Sequence, residues 1–200
     1  AMPRKTLQDE QPPEPENKKM LKGKDGQTSV LGINWNSLED KIQYKAEINF
    51  SKKIRGFRSE DDMKKESFND KFPETLTKRM VLEQVGRIFD PLGLVGPHAL
   101  RAKILLRQTW DMTEGWDSEM PTELYTKWKS WFASSFQLND ISFTRCTRPD
   151  NPMNEEPELI IFSDGSKEAS GITCYARWKI GNEEYESRLI LGKNRIAPRE

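Results

Sequence analysis

Hydrophobic positions are spread unevenly along the chain. The first 28 residues hold almost none. Lys, Glu, Gln and Pro dominate, Pro12 and Pro13 are adjacent, and such a stretch buries too little to offset the entropy of ordering. Residues 1–28 are therefore expected to be a disordered, charged lead. Val30, Leu31, Ile33 and Trp35 then form a short apolar stretch that reads as a strand. After a turn over Asn36–Asp40, the residues Ile42, Tyr44, Ala46, Ile48 and Phe50 alternate with polar ones. That period of two marks a half-buried strand, and the pair is expected to form a β-hairpin. Residues 51–74 return to charge, with Ile54, Phe57, Met63, Phe68 and Phe72 scattered among them, and read as a solvated loop.

The pattern next turns helical. Thr75 or Thr77 is placed to cap a helix in which Met80, Val81, Val85, Ile88 and Phe89 fall at helical spacing. Asp90-Pro91-Leu92-Gly93 ends it, since proline breaks the hydrogen-bond ladder and glycine permits the reversal. A second helix follows Gly96-Pro97, with Leu100, Ile104, Leu105 and Trp110 as its apolar stripe. A third is expected from Pro121 to Phe136, with Leu124, Trp128, Trp131, Phe132 and Phe136 turned inward. Residues 145–157 carry three prolines and mixed charge and read as a linker at a domain boundary. Beyond it, the run Leu159–Phe162, the alternating Ile172, Cys174, Ala176 and Trp178, and the segment from Tyr185 through Leu191 predict three strands in an antiparallel meander. Three strands without a covering layer leave one face unburied, so residues 158–200 are expected to be a truncated sheet domain.

Composition narrows the function classes. Charged residues make up 32% and hydrophobic ones 34%, and the formal net charge is zero. There is no global attraction to nucleic acid, so a binding face has to come from local clustering. Two cysteines, Cys146 and Cys174, and one histidine, His98, exclude a finger-type zinc site, and reduced thiols are the default. No stretch approaches the roughly 18 apolar residues of a membrane span, and the N-terminal residues lack a signal-peptide core.

The most informative segment is Leu159-Ile160-Ile161-Phe162-Ser163-Asp164-Gly165-Ser166, an apolar strand that ends on a carboxylate and a tight turn. Hard cations want fixed oxygens, and a strand-end aspartate supplies one. Asp164-Gly165 equally makes a plain turn, and on these residues alone the two readings stand side by side. The helical segments carry Lys78, Arg79, Arg87, Arg101, Lys103 and Arg107, which outnumber Glu83 and Asp90. They read either as contacts to phosphates or as the solvated faces of amphipathic helices. Trp110, Trp116, Trp128 and Trp131 read as a shared core by helical spacing, with base stacking the alternative.

The order of apolar strand, Asp-Gly-Ser, Gly171 and an alternating strand ending at Trp178 resembles the first hairpin of RNase H. Upstream, Leu31-Gly32-Ile33-Asn34-Trp35 resembles the segment after the polymerase palm in BEL/Pao-type LTR retrotransposons. Thr77-Lys78-Arg79, the block from Arg87 to Val95, Arg101-Ala102-Lys103-Ile104-Leu105 and Lys193-Asn194-Arg195-Ile196-Ala197-Pro198 resemble the same family. The likeness covers residues 30 to 200, and the Arg87–Val95 block is its most specific part. It implies an α+β chain: a β-hairpin and three-helix thumb or connection region of a reverse transcriptase over residues 29–144, a linker over 145–157, and a truncated antiparallel RNase H-like sheet from 158. It also implies Asp164 as the first metal-binding carboxylate with Mg2+ as cofactor. The six basic residues would then track the phosphates of an RNA–DNA hybrid or template–primer duplex. The remainder of the Pol polyprotein would be the protein partner, in a cytoplasmic or nuclear intracellular particle.

Some expected residues are absent. No Tyr-x-Asp-Asp type motif carries polymerase aspartates, and the later RNase H carboxylates would lie beyond Glu200, which comes too early to be the family's helix glutamate. The peptidase label often given to this region finds no support, because an aspartic peptidase needs Asp-Thr-Gly or Asp-Ser-Gly and the order here is Asp-Gly-Ser. The expectation is a polyprotein fragment for reverse transcription, inactive alone. The alternatives are a nucleic-acid-binding remnant without catalysis and a decayed element.

Overall fold

The computed structural model describes residues 27–30, 33–54 and 57–198. The expected lead therefore lies outside the described residues up to position 26, and strand β1 (Gln27–Val30) already begins within the span assigned to it. The apolar stretch Val30–Trp35 is two strands rather than one. β1 pairs antiparallel with β2 (Ile33–Asn36), with Val30 opposite Ile33. β2 pairs in turn with β3 (Lys41–Tyr44). A short strand near residue 143, numbered β6 below, adds to the far side of β3 and completes a four-stranded sheet. Arg145 fixes that return by pairing with Asp40 at 2.5 Å, which holds the Asp40 carboxyl below its ordinary range.

The alternation over Ile42–Phe50 is half strand and half not. Tyr44, Ala46 and Ile48 are buried as the period of two requires, yet the ladder stops at Tyr44. Side chains take over from there. The Ala46 N–H donates to the Asn139 side-chain oxygen, and the Gln84 amide both accepts from Asn49 N–H and donates to Asn49 C=O. The segment 51–74 is not a solvated loop. It forms a two-stranded ribbon, β4 (Lys53–Ile54) with β5 (Phe57–Arg58), then a 3-10 turn and the one-turn helix α1 (Phe68–Lys71). Phe68 and Phe72, four residues apart, fall on one side of that turn and are both buried in the main core.

Helices α2 (Lys78–Val85), α3 (Gly96–Met112) and α4 (Thr122–Ser135) follow the expected order. Thr77 caps α2 by accepting from Met80 N–H. Leu124, Trp128, Trp131, Phe132 and Phe136 are all buried against Leu76, Val81, Ala102, Ile48 and the two phenylalanines of the α1 region. The Trp128 indole donates to Thr109 Oγ at 2.9 Å, so the buried N–H is satisfied. Trp110 departs from its expected place. It is 41% exposed, and Ala102 and Thr109 take the fully buried face of α3 instead. A 3-10 turn (Phe136–Asp140) leads to β6 (Ser142–Thr144).

The last third is the antiparallel meander β7 (Glu158–Gly165), β8 (Ala169–Lys179) and β9 (Tyr185–Ile196), in the order β7-β8-β9. β8 is thus the central strand, and β7, which carries Asp164, lies at the edge. Segment 146–154 covers one end of the sheet: Trp178 donates to the Thr147 carbonyl and Arg188 to the Cys146 and Arg148 carbonyls. The rest of that face stays open, with Leu159, Ile161, Ile172 and Leu191 all more than two-fifths exposed.

The sheet docks on the helices through the loop between α2 and α3. The Gly192 N–H donates to the Leu92 carbonyl at 2.7 Å. A Cβ on Gly93 would stand 1.9 Å from the Gly192 carbonyl oxygen, and one on Gly192 would stand 2.4 Å from that of Gly93. Gly93 also has φ +70, where a side chain is strained. Beside this contact Asp90 accepts from Tyr44 Oη, Leu94 N–H and Val95 N–H, and so holds the start of α3 to the first sheet.

Two outcomes are expected. Gly93→Ala should lower stability by about 2 kcal/mol or more, from backbone strain plus overlap with Gly192, as read by urea denaturation. His98 stacks on Trp131 at 4.6 Å and meets Ser135 Oγ at 2.9 Å, and burial, helped by the Arg101 charge, lowers its pKa from 6.5 to about 4. Its neutral form is the folded one, so the stability it contributes is present above pH 6.5 and lost as the pH falls towards 4. His98→Gln should flatten the stability–pH curve across that window, and an unchanged slope would show that another group carries it.

Candidate functional site

Asp164 is the last polar side chain of β7 before the Gly165 turn, and it is exposed. Its Oδ1 accepts from Gly165 N–H at 2.8 Å, and among the described residues it forms no ion pair. Pairing with Gly171 on β8 puts it on the sheet face that also carries Phe162 and Thr173. That face looks towards the start of α3. Between them lies an open cavity of about 440 Å³ whose lining includes Asp164, Phe162, Leu100, Pro97 and Asn194. The carboxylate therefore stands at the rim of a groove between sheet and helix, with one oxygen on Gly165 N–H and the other without a hydrogen-bond partner among the described residues.

The six basic residues do not act as one group. Lys78 is buried, and its ammonium donates to the Glu114 carbonyl and lies 5.4 Å from the Trp110 ring. Arg79 forms a two-pronged pair with Asp117 and covers Trp116, and the pairing raises its pKa. Arg87 bridges Glu47 and Asp62 in the half-buried junction beneath α2. Arg101 is exposed at the α3–α4 groove with Glu123 and Lys127. Lys103 and Arg107 are the two that reach the end of β9. Lys103 donates to Asn194 Oδ1 at 3.0 Å, and Arg107 donates to the Ala197 carbonyl.

Residues outside that set complete the surroundings. Asn194 donates to the Gly96 carbonyl at 2.9 Å while accepting from Lys103, so one amide ties β9 to both ends of the first α3 turns. Lys193 and Arg195, on either side of it, pair with Ile172 and Ser170 and so lie exposed on the opposite, open face of the sheet. Reading helical charge alone misses Asn194. Its signal was its place at the end of a strand next to the Asp-bearing hairpin. No group of three or more His, Cys, Asp or Glu side chains converges as a metal site among the described residues. No helix among them is long and apolar enough to cross a membrane. Glu200 lies outside the described residues.

Residues 77–200, more than half of the chain, match the family model described as Pao retrotransposon-like RNaseH-like domain. No curated protein matches the chain.

A structural carboxylate and a functional one are separable here. Asp164→Asn should change unfolding free energy by less than about 0.5 kcal/mol, since the side chain is exposed and bonds only its neighbour. Asp90→Asn should cost about 1–3 kcal/mol, because three donors converge on its carboxylate. Equal losses in a denaturation series would remove the case for Asp164 as a ligand-facing group.

Proposed function

Since this chain belongs to the Pao retrotransposon-like RNaseH-like family, part of a BEL/Pao-type retrotransposon Pol region, we propose that it handles an RNA–DNA hybrid during reverse transcription. The observation that carries this reading is the setting of Asp164. An exposed carboxylate ends a strand with only one of its oxygens engaged, by the neighbouring Gly165 N–H, and Asn194, which accepts from the Lys103 ammonium, lines the same groove. A cation near a carboxylate suits a phosphodiester: it neutralises the strand while the carboxylate presents a hard oxygen next to it.

Magnesium needs more than this. A hard divalent cation takes about six oxygens, and two-ion hydrolysis uses several carboxylates. Asp164 is one donor, and no cluster of three ligating side chains forms among the described residues. These residues do not make a magnesium site on their own. In the proposed role Asp164 is one ligand in a set whose other members lie outside them. The same observation favours a second reading, a hybrid-binding module without hydrolysis.

A labelled RNA–DNA hybrid separates the two. The chain should bind it with an affinity that falls steeply with salt, and Asp164→Asn should leave that affinity unchanged or raise it by removing a like charge from the strand's path. The chain should release no cleaved RNA with Mg2+ present. Magnesium-dependent cleavage lost in Asp164→Asn would establish a working site, and no binding at low salt would sink both readings.

A further inference from the structure

The register sorts the three-stranded sheet into two faces of different character. One carries Asp164 and Asn194 and meets α3. The other carries Leu159 and Ile161 from β7, Ile172 from β8 and Leu191 from β9, all 42–63% exposed. Segment 146–154 already covers one end of this second face, where Ala176 and Trp178 are buried and Trp178 donates to the Thr147 carbonyl. Beyond that end the four aliphatics stay open. Lys193 and Arg195 lie on the same face at its far end, opposite Ile172 and Ser170. Both are exposed, and among the described residues neither side chain has an ion pair or a hydrogen bond. Glu186 is the one carboxylate at a strand position of this face, and Arg188 holds it at 2.7 Å.

We infer that this open face docks an acidic amphipathic helix of a partner chain. The helix lies along the strands, with its apolar stripe on Leu159, Ile161, Ile172 and Leu191 and its carboxylates against Lys193 and Arg195. This goes beyond the hybrid-handling reading and concerns the side of the sheet opposite Asp164. Shape is the first support. An apolar sheet face is ordinarily buried under another layer, and a helix is one of the two common covers. Residues 159 to 165 of β7 span about 20 Å, the length of about 13 helical residues. Charge is the second support. Two cations at the margin of an apolar surface, unanswered by any carboxylate of that face, match glutamate or aspartate on the flank of a helix and disfavour lysine there. The same two cations weigh against a second copy of this chain: a twofold contact of the face on itself sets four cations around it and no free carboxylate to meet them. Nucleic acid would satisfy the cations, but the open part of the face has no aromatic ring on which a base could stack.

Fluorescence anisotropy with two dye-labelled synthetic helices tests the docking. Each has about 14 residues with leucines at helical spacing. One carries glutamates on its flanks, and the other has lysine at each of those positions. The glutamate helix should bind the unaltered chain about tenfold more tightly than the lysine helix, with an affinity that falls as salt rises. Ile161→Ser should weaken it roughly tenfold, whereas Leu38→Ser, in the turn between β2 and β3, should not. Lys193→Gln combined with Arg195→Gln should remove both the preference for glutamate and the salt dependence. All of these side chains are exposed, and circular dichroism checks that each variant folds. Equal binding of the two helices, binding that survives Ile161→Ser, or no binding at millimolar peptide would overturn the inference. A dimer in light scattering that Ile161→Ser breaks would overturn it in favour of a second copy. Displacement of the glutamate helix by an RNA–DNA hybrid would overturn it in favour of nucleic acid. Hybrid and glutamate helix bound together would support two separate faces, and a chain that binds the helix but no hybrid would sink only the hybrid reading.

Discussion

Two backbones meet at Gly93 and Gly192 with no room for a side chain on either, and the placement of the sheet against the helices follows from that approach. The Gly192 N–H reaches the Leu92 carbonyl only because the strand lies this close. Asn194, two residues on, then meets both Gly96 and Lys103, which brings β9 alongside α3. The neighbouring Asp90 serves the other side of the same loop. Its carboxylate takes two N–H groups at the start of α3 and the hydroxyl of Tyr44, and burial with that partner raises the Tyr44 pKa. One short loop therefore orients the first sheet, the long helix and the second sheet together. It lies within the block from Arg87 to Val95, the most distinctive part of the family likeness.

Where periodicity was strong, the elements were legible. α4 repeats four large apolar residues on one side, Phe136 follows at its end, and all five are buried. β8 alternates cleanly and sits at the sheet centre, and Thr77 caps the helix that its position suggested. The failures share a cause. Phe68 and Phe72 belong to a single helical turn in a charged stretch, too short to show a period. Residues 45–50 alternate like a strand but satisfy their backbone through Asn139 and Gln84, partners that no local pattern announces. β6 is three residues long and exists because β3 has a free side.

The site was legible in part. Asp164 could be singled out because a strand-end carboxylate before a turn is visible in the chain itself. The basic residues could be counted but not sorted. Lys78, Arg79 and Arg87 are engaged by Glu114, Asp117, Glu47 and Asp62, partners 36 to 40 positions away or, for Asp62, 25. Lys103 and Arg107 face β9 because of the glycine contact, which spacing does not reveal. Trp110 shows the same limit: helical spacing placed it with the core tryptophans, but the face it occupies is the one turned to the end of β9.

The open side of the three-stranded sheet has a colloidal consequence. Leu159, Ile161, Ile172 and Leu191 form an apolar facet, and beside it β7 has no strand partner on its outer edge among the described residues. Such a facet attracts its like at short range, and an unpaired edge gives the encounter a direction. Ordinarily a protein's net charge keeps molecules apart long enough for this to matter little, but this chain carries none near neutrality. Its solubility therefore passes through a minimum near the pH at which it would most naturally be handled, and moving away from neutrality in either direction restores the repulsion that the facet lacks.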